Sequence, residues 1–354
     1  MSHRLAAFAL AAVLLAGCAG QPASTQTPAS ETAGPTESKT LTVISHESFV
    51  ISDEDKAKFE EQTGYSVTYS ALGDAGTVVS QLVLTKDNPL GDVVFGVDNT
   101  FAGKALEEGV FSTYNTQALS ADVLGKYALQ GAEAGQLTPI DYGEVCLNAD
   151  DTWFADKKLA IPQTLDDLLK PEYKGLLVVS SPATSSPGLA FLFTTRAAKG
   201  DAYLDYWKAL KDNGLKVVSG WEDAYNVEFS AVGGGNYPLV LSYNTSPAST
   251  VKDGKATTST LTQTCFQQTE YAGVLKGAQN EVGAQKFIDF LLSEGYQSTI
   301  PDSMWMFPVN PSAKVPEDWE KYAAKIDKPW TLPVDQTAEF REQWIKEWTE
   351  TVVG

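Results

Sequence analysis

The sequence predicts an α/β protein built of two units, each a sheet of mainly parallel strands flanked by helices. Two observations predict this fold class. Short apolar runs alternate with helical patterns, which is typical of parallel sheets, and this alternation occurs twice, before and after about residue 141. The length of 354 residues also suits about two domains. The sequence shows no internal repeat and no transmembrane span.

The first unit has the order strand, helix, strand, helix, strand. The predicted elements are strands at 41–45, 67–71 and 92–95, a helix at 52–63 and a helix from about 77. Ser52 and Asp55 have the spacing of a capping box. Gly64 is typical of the end of a helix.

The second unit begins after Asp141. The predicted elements are strands at 176–180, 215–219 and 239–243, a helix at 201–212, a return segment at 270–275, and helices at 282–292 and 339–351. Another helix opens with Ser186 as its cap and Pro187 in its first turn. The glycine-rich turn at 232–236 lacks the Lys-Ser/Thr of a phosphate-binding loop. Because the segment at 270–275 leads back to the first unit, the chain crosses between the units more than once.

The N-terminus is typical of a secretory signal. Arg4 precedes an apolar run at 5–16 that is too short for a bilayer, which needs about 20 residues. The motif LAGC at 15–18 resembles the bacterial lipobox, which implies a signal peptide at 1–17 and a lipid on Cys18. The alternative is an ordinary signal with a chance cysteine. Residues 18–39 are rich in Pro, Ser and Thr and predict a flexible tether.

The composition is that of a soluble globular protein, with 43% apolar and 20% charged residues. The net charge of −19 makes nucleic-acid binding an unlikely role, since phosphate neutralisation needs a basic surface. The acidity serves solubility or forms an attractive background for a cationic ligand. Cys146 and Cys265 are a candidate disulfide in an oxidising compartment, and the alternative is two buried free thiols.

Polar or aromatic residues follow the predicted strands. They are, in chain order, His46, Asp74, Asp98, residues 181–186, Trp221, Tyr243 and Asn244. Ligands of open α/β sheets bind beyond the carboxyl ends of the strands. We therefore expect these residues to share one cleft.

The sequence contains no clear motif for catalysis or metal binding. His46 is the one imidazole left after signal removal, and no Gly-x-Ser-x-Gly elbow accompanies it. The sequence lacks the clustered Cys and His of a zinc site. A carboxylate pair of the glycosidase type stays open, because acids are abundant. We expect a binding protein rather than an enzyme, with no cofactor and no metal.

The aromatic residues Trp221, Tyr225, Tyr243 and Trp305 lie in polar, loop-like contexts. Rings are usually core residues, but these coincide with strand ends. Ring faces attract cations by about 0.5–2 kcal/mol each, and a carboxylate such as Asp74 adds charge and a hydrogen-bond acceptor. The set suits a planar, positively charged, nitrogen-bearing small molecule.

Seven stretches carry a family resemblance in collinear order. They are residues 41–49, DVVFGVDN at 92–99, DYG at 141–143, TSSPGL at 184–189, GWEDAY at 220–225, LVLSYNTSPA at 239–248 and IPDSMWMFPV at 300–309. Together they resemble the thiamine-binding periplasmic proteins, which are the substrate-binding components of ABC importers. The resemblance covers nearly the whole chain from residue 41.

This resemblance implies a type II periplasmic-binding-protein fold, in which two α/β lobes joined by hinge crossovers enclose a ligand cleft. Lobe 1 would be residues 40–140 with 268–308, and lobe 2 residues 141–267 with 309–354. The ligand would be thiamine or its phosphates. We expect a monomer, lipid-anchored on the extracytoplasmic face of the membrane, that delivers its ligand to an ABC permease.

The resemblance also implies roles for individual residues. The predicted ligand-binding set is His46, Asp74, Thr184, Ser185, Ser186, Trp221, Tyr225, Tyr243, Asn244 and Trp305. Asp74 would accept a hydrogen bond from the aminopyrimidine, and Trp221, Tyr243 and Trp305 would line or cover the rings. The hydroxyl residues at 184–186 would face the hydroxyethyl or phosphate end, where helix N–H groups favour anions.

The sequence departs from the family pattern at two positions. His46 and Ser249 stand where the family has tyrosines, which affects affinity and the preferred thiamine form. If His46 faces a cationic ring, its imidazole must be neutral to help binding. Cys146 and Cys265 fall next to the hinge crossovers, and the resemblance supports their pairing.

Two other interpretations stay open. The first is a different ligand, since the same fold binds ferric iron or a polyamine in other proteins. Iron sites of related proteins use paired tyrosines, whereas Asn244 follows Tyr243 here. A polyamine needs several acids in the cleft, and Asp74, Asp98 and Glu222 keep that ligand open. The second is an envelope enzyme on this fold.

Overall fold

The computed structural model describes residues 38–354. The predicted signal peptide at 1–17, the predicted lipidation site Cys18 and the tether up to residue 37 lie outside the described residues. Within the described range, no helix combines the length and apolar character needed to cross a membrane.

The described residues form eleven strands and thirteen α-helices. The strands are β1 (Thr40–Ser45), β2 (Ser66–Ala71), β3 (Val93–Asp98), β4 (Thr138–Asp150), β5 (Leu177–Ser180), β6 (Lys216–Val218), β7 (Leu239–Tyr243), β8 (Val251–Lys252), β9 (Lys255–Ala256), β10 (Thr258–Val274) and β11 (Phe307–Pro308). The helices are α1 (Asp53–Thr63), α2 (Ala75–Leu84), α3 (Ala102–Glu107), α4 (Ala121–Lys126), α5 (Asp151–Lys157), α6 (Ser186–Lys199), α7 (Tyr203–Asp212), α8 (Ser246–Ser249), α9 (Glu281–Leu291), α10 (Glu294–Gln297), α11 (Ile300–Met304), α12 (Glu317–Tyr322) and α13 (Val334–Val352). A π-helical turn covers Asp223–Glu228, and 3₁₀ turns cover Asp167–Leu169, Pro171–Tyr173 and Gly200–Ala202.

Nine strands form one sheet in the order β2-β1-β3-β10-β4-β7-β5-β6, with β11 paired to β4. In the first strand group, β1 pairs in parallel with β2 and β3. In the second strand group, β5 pairs in parallel with β6 and β7. The long strands β4 and β10 run antiparallel to each other between the groups. Two parallel groups and repeated crossing between them are therefore confirmed.

Helices cover both faces of the first strand group. In β1, Val43 belongs to one buried core together with α9, whereas the next residue, Ile44, belongs to another core together with α2. Successive strand residues point to opposite faces of a sheet. This two-sided burial explains why the strands are continuous apolar runs.

The second strand group is built around α6. Its first ten residues, 186–195, are all buried, which is expected of a helix that lies inside a core. Phe191 of α6 packs edge-on against Trp207, and Trp207 packs edge-on against Trp348 of α13. This packing fixes the start of α6, which faces the cavity described below.

Several predicted helix starts are wrong: α7 begins at Tyr203, not 201, α9 at Glu281, not 282, and α13 at Val334, not 339. The α2 helix begins at Ala75, not near residue 77, because Asp74 caps it and its Oδ1 accepts from the Ala75 N–H at 2.7 Å. Gly76, a poor helix former, is required there: a Cβ would lie 2.8 Å from the Thr184 carbonyl. The cap of α6 is Ser185, not Ser186.

The predicted disulfide is confirmed. Cys146 and Cys265 are bonded and join β4 to β10 at the centre of the sheet. The bond closes a loop with a sequence separation of 119 residues. In the chain-entropy model, closing a loop of this length stabilises the fold by about 4–5 kcal/mol.

Candidate functional site

A cavity of about 390 Å³ lies at the carboxyl ends of both strand groups. Seven of the ten residues predicted to bind ligand line it: His46, Asp74, Ser186, Trp221, Tyr225, Tyr243 and Trp305. The expectation that residues after different strands share one cleft is met by their geometry. Their contact with a ligand stays a prediction.

The other three predicted residues, Thr184, Ser185 and Asn244, do not line the cavity. Thr184 Oγ1 donates to the Ser219 carbonyl at 2.6 Å. Ser185 is fully buried, and its hydroxyl donates to Ser180. The hydroxyl groups of Thr184 and Ser185 therefore bind neighbouring protein groups next to the start of α6.

Asn244 fixes the end of β7. Its Oδ1 accepts from the Glu144 N–H at 3.0 Å, and its Nδ2 donates to the Ala324 carbonyl at 3.0 Å. The side chain therefore joins β4, β7 and the segment after α12. The position of Asn244 at a strand end was predicted from the sequence, but the direction of its side chain was not.

Several lining residues are outside the predicted ligand-binding set. They are Ser48, Val50, Glu222, Glu270, Ser303, Met304 and Met306, among others. Glu270 is the most informative of these, because it is a carboxyl group with only 6% of its surface exposed. It was expected only as the start of a strand returning to the first unit.

The His46 ring occupies the space that a side chain at Gly96 would fill. Its ring lies so close to Gly96 that a Cβ there would be 1.9 Å from the imidazole Cδ2. Gly96 has a φ of +88°, a conformation that favours glycine. Phe95 packs against the ring at 5.5 Å between centroids. The imidazole is 7% exposed, and its Nε2 lies 3.3 Å from Glu270 Oε1.

The charge on His46 is set by surrounding acids. Burial lowers the pKa of His46, but the carboxylates of Glu270, Asp74 and Asp98 outweigh burial and hold the pKa above its usual 6.5. A protonated imidazole therefore persists to higher pH than in a free histidine. The Nε2 lies within ion-pair distance of Glu270 without the alignment of a hydrogen bond.

A row of three carboxyl groups crosses the sheet beside His46. Glu270 of β10 is in register with Asp98 of β3 and with Asp141 of β4. Burial raises the pKa of Asp98 to about 6, although Thr100 and Ser186 donate hydrogen bonds to it. Burial and the charge of Glu270 raise the pKa of Asp141 well above its usual range. The neutral form of Asp141 therefore persists to higher pH than in a free aspartic acid.

The opposite side of the cavity is aromatic. Trp221 stacks on Tyr225 with ring centroids 5.0 Å apart and an interplanar angle of 15°. The indole Nε1 donates to Ser242 at 2.9 Å. Trp221 also packs edge-on against Tyr243, whose hydroxyl accepts from Gln268 at 3.1 Å. These contacts hold the ring faces in place before any ligand arrives.

Trp305 lines the cavity from a strained backbone position. Its φ of +54° is left-handed, which costs a non-glycine residue about 1–2 kcal/mol. Two contacts hold it there. The indole stacks on Trp319 at 5.9 Å with an interplanar angle of 8°, and Thr245 Oγ1 donates to the Trp305 carbonyl at 2.6 Å. Backbone strain of this kind is common at ligand-binding sites.

The cavity is negatively charged. Its lining includes Asp74, Glu222 and Glu270, and no lysine or arginine of the described chain lines it. We name two parts: the acidic wall (His46, Asp74 and Glu270) and the aromatic wall (Trp221, Tyr225 and Tyr243). Within residues 38–354, no three His, Cys, Asp or Glu side chains are grouped as metal ligands.

The comparison with known families agrees with this geometry. The model of the bacterial extracellular solute-binding proteins matches residues 88–329, more than half of the chain. The chain belongs to this family. It is therefore a solute-binding protein, and its cavity is the candidate solute site.

Three relatives show how far the similarity extends. A "Thiamine-binding periplasmic protein" of Escherichia coli (strain K12) is 29% identical over 269 residues, 75% of this chain and 78% of that protein. One of Brucella suis biovar 1 (strain 1330) is 28% identical over 284 residues, 78% of this chain and 80% of that protein. A solved "Periplasmic thiamin binding protein" has a TM-score of 0.77 at 28% identity, and the match covers 90% of this chain and 98% of that one. The family resemblance and the type II fold are confirmed.

In this solute-binding protein, four hydrogen bonds join segments next to the first strand group to segments next to the second. They are Trp221 N–H to Asp74 Oδ2 (3.0 Å), Ser48 Oγ to Glu222 Oε1 (2.7 Å), Gly76 N–H to the Thr184 carbonyl (3.0 Å) and Ser186 Oγ to Asp98 Oδ2. Asp74 is therefore both the cap of α2 and a link to the second group.

Proposed function

We propose that this solute-binding protein captures thiamine from outside the cytoplasm and delivers it to an ABC import permease. The observation that carries the proposal is a cavity that combines buried acids with stacked rings and has no lysine or arginine among its described lining residues. Thiamine is a cation with two planar rings, a thiazolium and a hydrogen-bonding aminopyrimidine. Two relatives that bear the name of thiamine-binding proteins support the same ligand.

The acidic wall suits the charged and amino groups of thiamine. Asp74 is bound to the Trp221 N–H through Oδ2 and to the Ala75 N–H through Oδ1. A carboxylate has about four acceptor positions, so it retains capacity for the ligand's amino group. Ring faces of the aromatic wall would lie against the thiazolium, with a gain of about 0.5–2 kcal/mol for each cation–π contact.

Unphosphorylated thiamine is the form that this cavity favours. The start of α6 supplies backbone N–H groups for a phosphate, and Ser186 lines the cavity there. However, phosphates add negative charge to a cavity lined by Asp74, Glu222 and Glu270. We therefore expect thiamine to bind more tightly than thiamine monophosphate, and the diphosphate to bind least tightly.

Calorimetric titration separates the candidate ligands. Thiamine, its mono- and diphosphate, spermidine and ferric citrate would each be titrated into the full chain. Saturable binding of thiamine with weaker or absent binding of spermidine supports the proposal. Spermidine tests the polyamine alternative, which the cavity acids favour. Selective binding of spermidine or ferric iron would overturn the thiamine proposal.

The same preparation tests for turnover. The relatives are binding proteins, and we propose that the chain binds its ligand without chemical change. Ligand recovered after prolonged incubation should be unaltered by mass spectrometry. Conversion of thiamine to any product at a rate above that in buffer would replace the binding role with an enzymatic one.

We further propose a lipid anchor and a two-lobe division. The anchor would be a lipid on Cys18 after removal of residues 1–17. Labelling of cells with a tagged fatty acid should mark the wild-type chain and not Cys18→Ser.

The hinge would separate 40–140 with 268–308 from 141–267 with 309–354, and the protein would act as a monomer. Small-angle scattering tests both proposals. A mass above that of one chain would contradict the monomer, and a radius that stays the same when thiamine is added would contradict hinge closure on binding.

A further inference from the structure

Glu270 is placed at the cavity by an irregularity in β10. The register between β10 and β4 shifts between Glu270 and Tyr271, and the register with β3 shifts one residue later. A β-bulge re-aims the side chains around it. Here it accompanies a carboxyl group that lines the cavity and is 6% exposed. Glu270 is not a member of the predicted ligand-binding set.

In the part of the chain that the structure describes, two of the ionisable neighbours of Glu270 are carboxyl groups, and only one is a base. Asp98 and Asp141 flank it on β3 and β4, His46 faces it from the end of β1, and the buried Tyr243 lies near it. Asp98 accepts hydrogen bonds from Thr100 and Ser186, whereas neither carboxyl oxygen of Asp141 has a partner among the described residues. The one basic group near Glu270 in the cavity lining is therefore His46.

His46 is held in position to pair with Glu270. The ring sits over Gly96 and against Phe95, so it cannot move far from the carboxylate. The acids that face the imidazole come from three other elements: Glu270 on β10, Asp98 on β3 and Asp74 at the cap of α2. The adjacent Glu47 also interacts with it. Its Nε2 has no hydrogen-bond partner among the described residues.

We propose that Glu270 is the carboxylate that recognises the positive charge of the ligand, and that His46 releases its proton when the ligand binds. The inference rests on the proposed function, because it requires a cationic ligand. In the empty cavity the imidazolium neutralises Glu270. A bound cation takes over that role, and two positive charges in one buried cavity repel each other. The imidazole proton therefore passes to solvent, and the net charge of the site is unchanged.

This exchange makes the site selective for cations and dependent on pH. Protonation of His46 and binding of the cation compete, so affinity rises as pH increases through the raised pKa of His46 in the empty protein. A neutral ligand has no such competition. The neutral imidazole left after binding meets the requirement that His46 not oppose a cationic ring.

Calorimetry in two buffers measures the released proton. Thiamine would be titrated into the full chain at about pH 7–8 in phosphate and in Tris, whose ionisation enthalpies differ. At this pH, Asp98, with a pKa of about 6, is already ionised. We expect release of up to about one proton per thiamine in the wild type. His46→Gln should still bind thiamine but release almost no proton.

Two further variants assign the roles. Glu270→Gln should weaken thiamine binding by about 10–100-fold, as expected when a charge-assisted contact is lost. Glu144→Gln is the matched control: burial raises the pKa of Glu144 to about 7, but this residue lies on β4 outside the cavity lining. It should keep the wild-type affinity and proton release. Circular dichroism checks that each variant is folded.

The outcomes separate this inference from the proposed function. Thiamine binding without proton release in the wild type overturns the inference and leaves the proposed function in place. Proton release that persists in His46→Gln overturns the role of His46. Absence of thiamine binding to the folded wild type overturns the proposed function and this inference with it. The wild-type and His46→Gln measurements decide the question even if Glu270→Gln fails to fold.

Discussion

The acidic wall and the aromatic wall of the cavity differ in how they are built. His46 and Glu270 are buried ionisable groups. The absence of a side chain at Gly96 makes room for His46, and Glu270 lies at a β-bulge in β10. Trp221 and Tyr243 are neutral rings held by stacking and hydrogen bonds. The difference shows that the cavity combines ionisable groups and ring faces that are held in place by different kinds of contact. A ligand that touches both walls would gain both contributions.

The two walls also differ in their effect on stability. Burying ionisable groups costs free energy unless they are well paired, and Asp98 and Asp141 both carry raised pKa values for this reason. Packed rings contribute apolar burial instead. We therefore expect the acidic wall to limit the stability of the protein and the aromatic wall to support it.

Replacing Gly96 should damage the acidic wall most. Gly96→Ala combines a Cβ 1.9 Å from the His46 ring with a φ of +88°, so we expect a loss of about 2–4 kcal/mol in unfolding free energy. Gly103→Ala is the matched control, because Gly103 lies in α3 with open space around its Cβ position. It should be neutral or stabilising by up to about 1 kcal/mol. Urea unfolding measures both variants, and equal effects would contradict a specific requirement for glycine beside His46.

The buried carboxyl group of Asp98, which neighbours Glu270 of the acidic wall, should make stability depend on pH. Burial raises the pKa of Asp98 from 3.8 to about 6. The neutral acid therefore favours the folded state, and this contribution is present below about pH 4 and lost as pH rises through about 6. Asp98→Asn removes the titration, so its unfolding free energy relative to wild type should rise by about 1–3 kcal/mol between pH 4 and 7. A difference that does not vary with pH would show that Asp98 is ionised throughout.

Asp74 should serve both binding and helix capping. Asp74→Ala should weaken thiamine binding by about 1–3 kcal/mol, because a buried partner is left without its acceptor, and should lower stability by about 1 kcal/mol through loss of the α2 cap. Asp74→Asn keeps the cap and removes the charge. Calorimetry and urea unfolding on both variants separate the two effects. An unchanged affinity in Asp74→Ala would remove this residue from the site.

The aromatic wall should give the smallest change in affinity but a clear optical signal. Thiamine should quench tryptophan fluorescence, because Trp221 and Trp305 line the cavity. Trp221→Phe keeps a ring face but loses the hydrogen bond to Ser242, so we expect binding to weaken by about 0.5–2 kcal/mol. Trp207→Phe, in the core away from the cavity, should keep the same quenching. Full quenching in Trp221→Phe would place the ligand away from this ring.

The predicted site was incomplete for a physical reason. Asp74, Trp221 and Tyr243 were found because each follows an apolar strand, and strand ends converge in an open sheet. Asn244 and Thr184 have the same position in sequence, yet their side chains bind backbone groups and do not line the cavity. Side-chain direction depends on the register and twist of each strand, which sequence position alone does not specify.

The class of fold, the parallel strand groups, the crossings between them and the disulfide partners could be predicted from the amino-acid sequence alone. These depend on local periodicity and on the number of available cysteines, which are properties of the chain alone. In contrast, the three-dimensional structure was needed to show that Glu270 faces His46 and that Gly96 makes room for the imidazole. Residues 46, 96 and 270 are distant in sequence, and their meeting depends on how β1, β3 and β10 align. Charge on a buried group is likewise set by its neighbours in space.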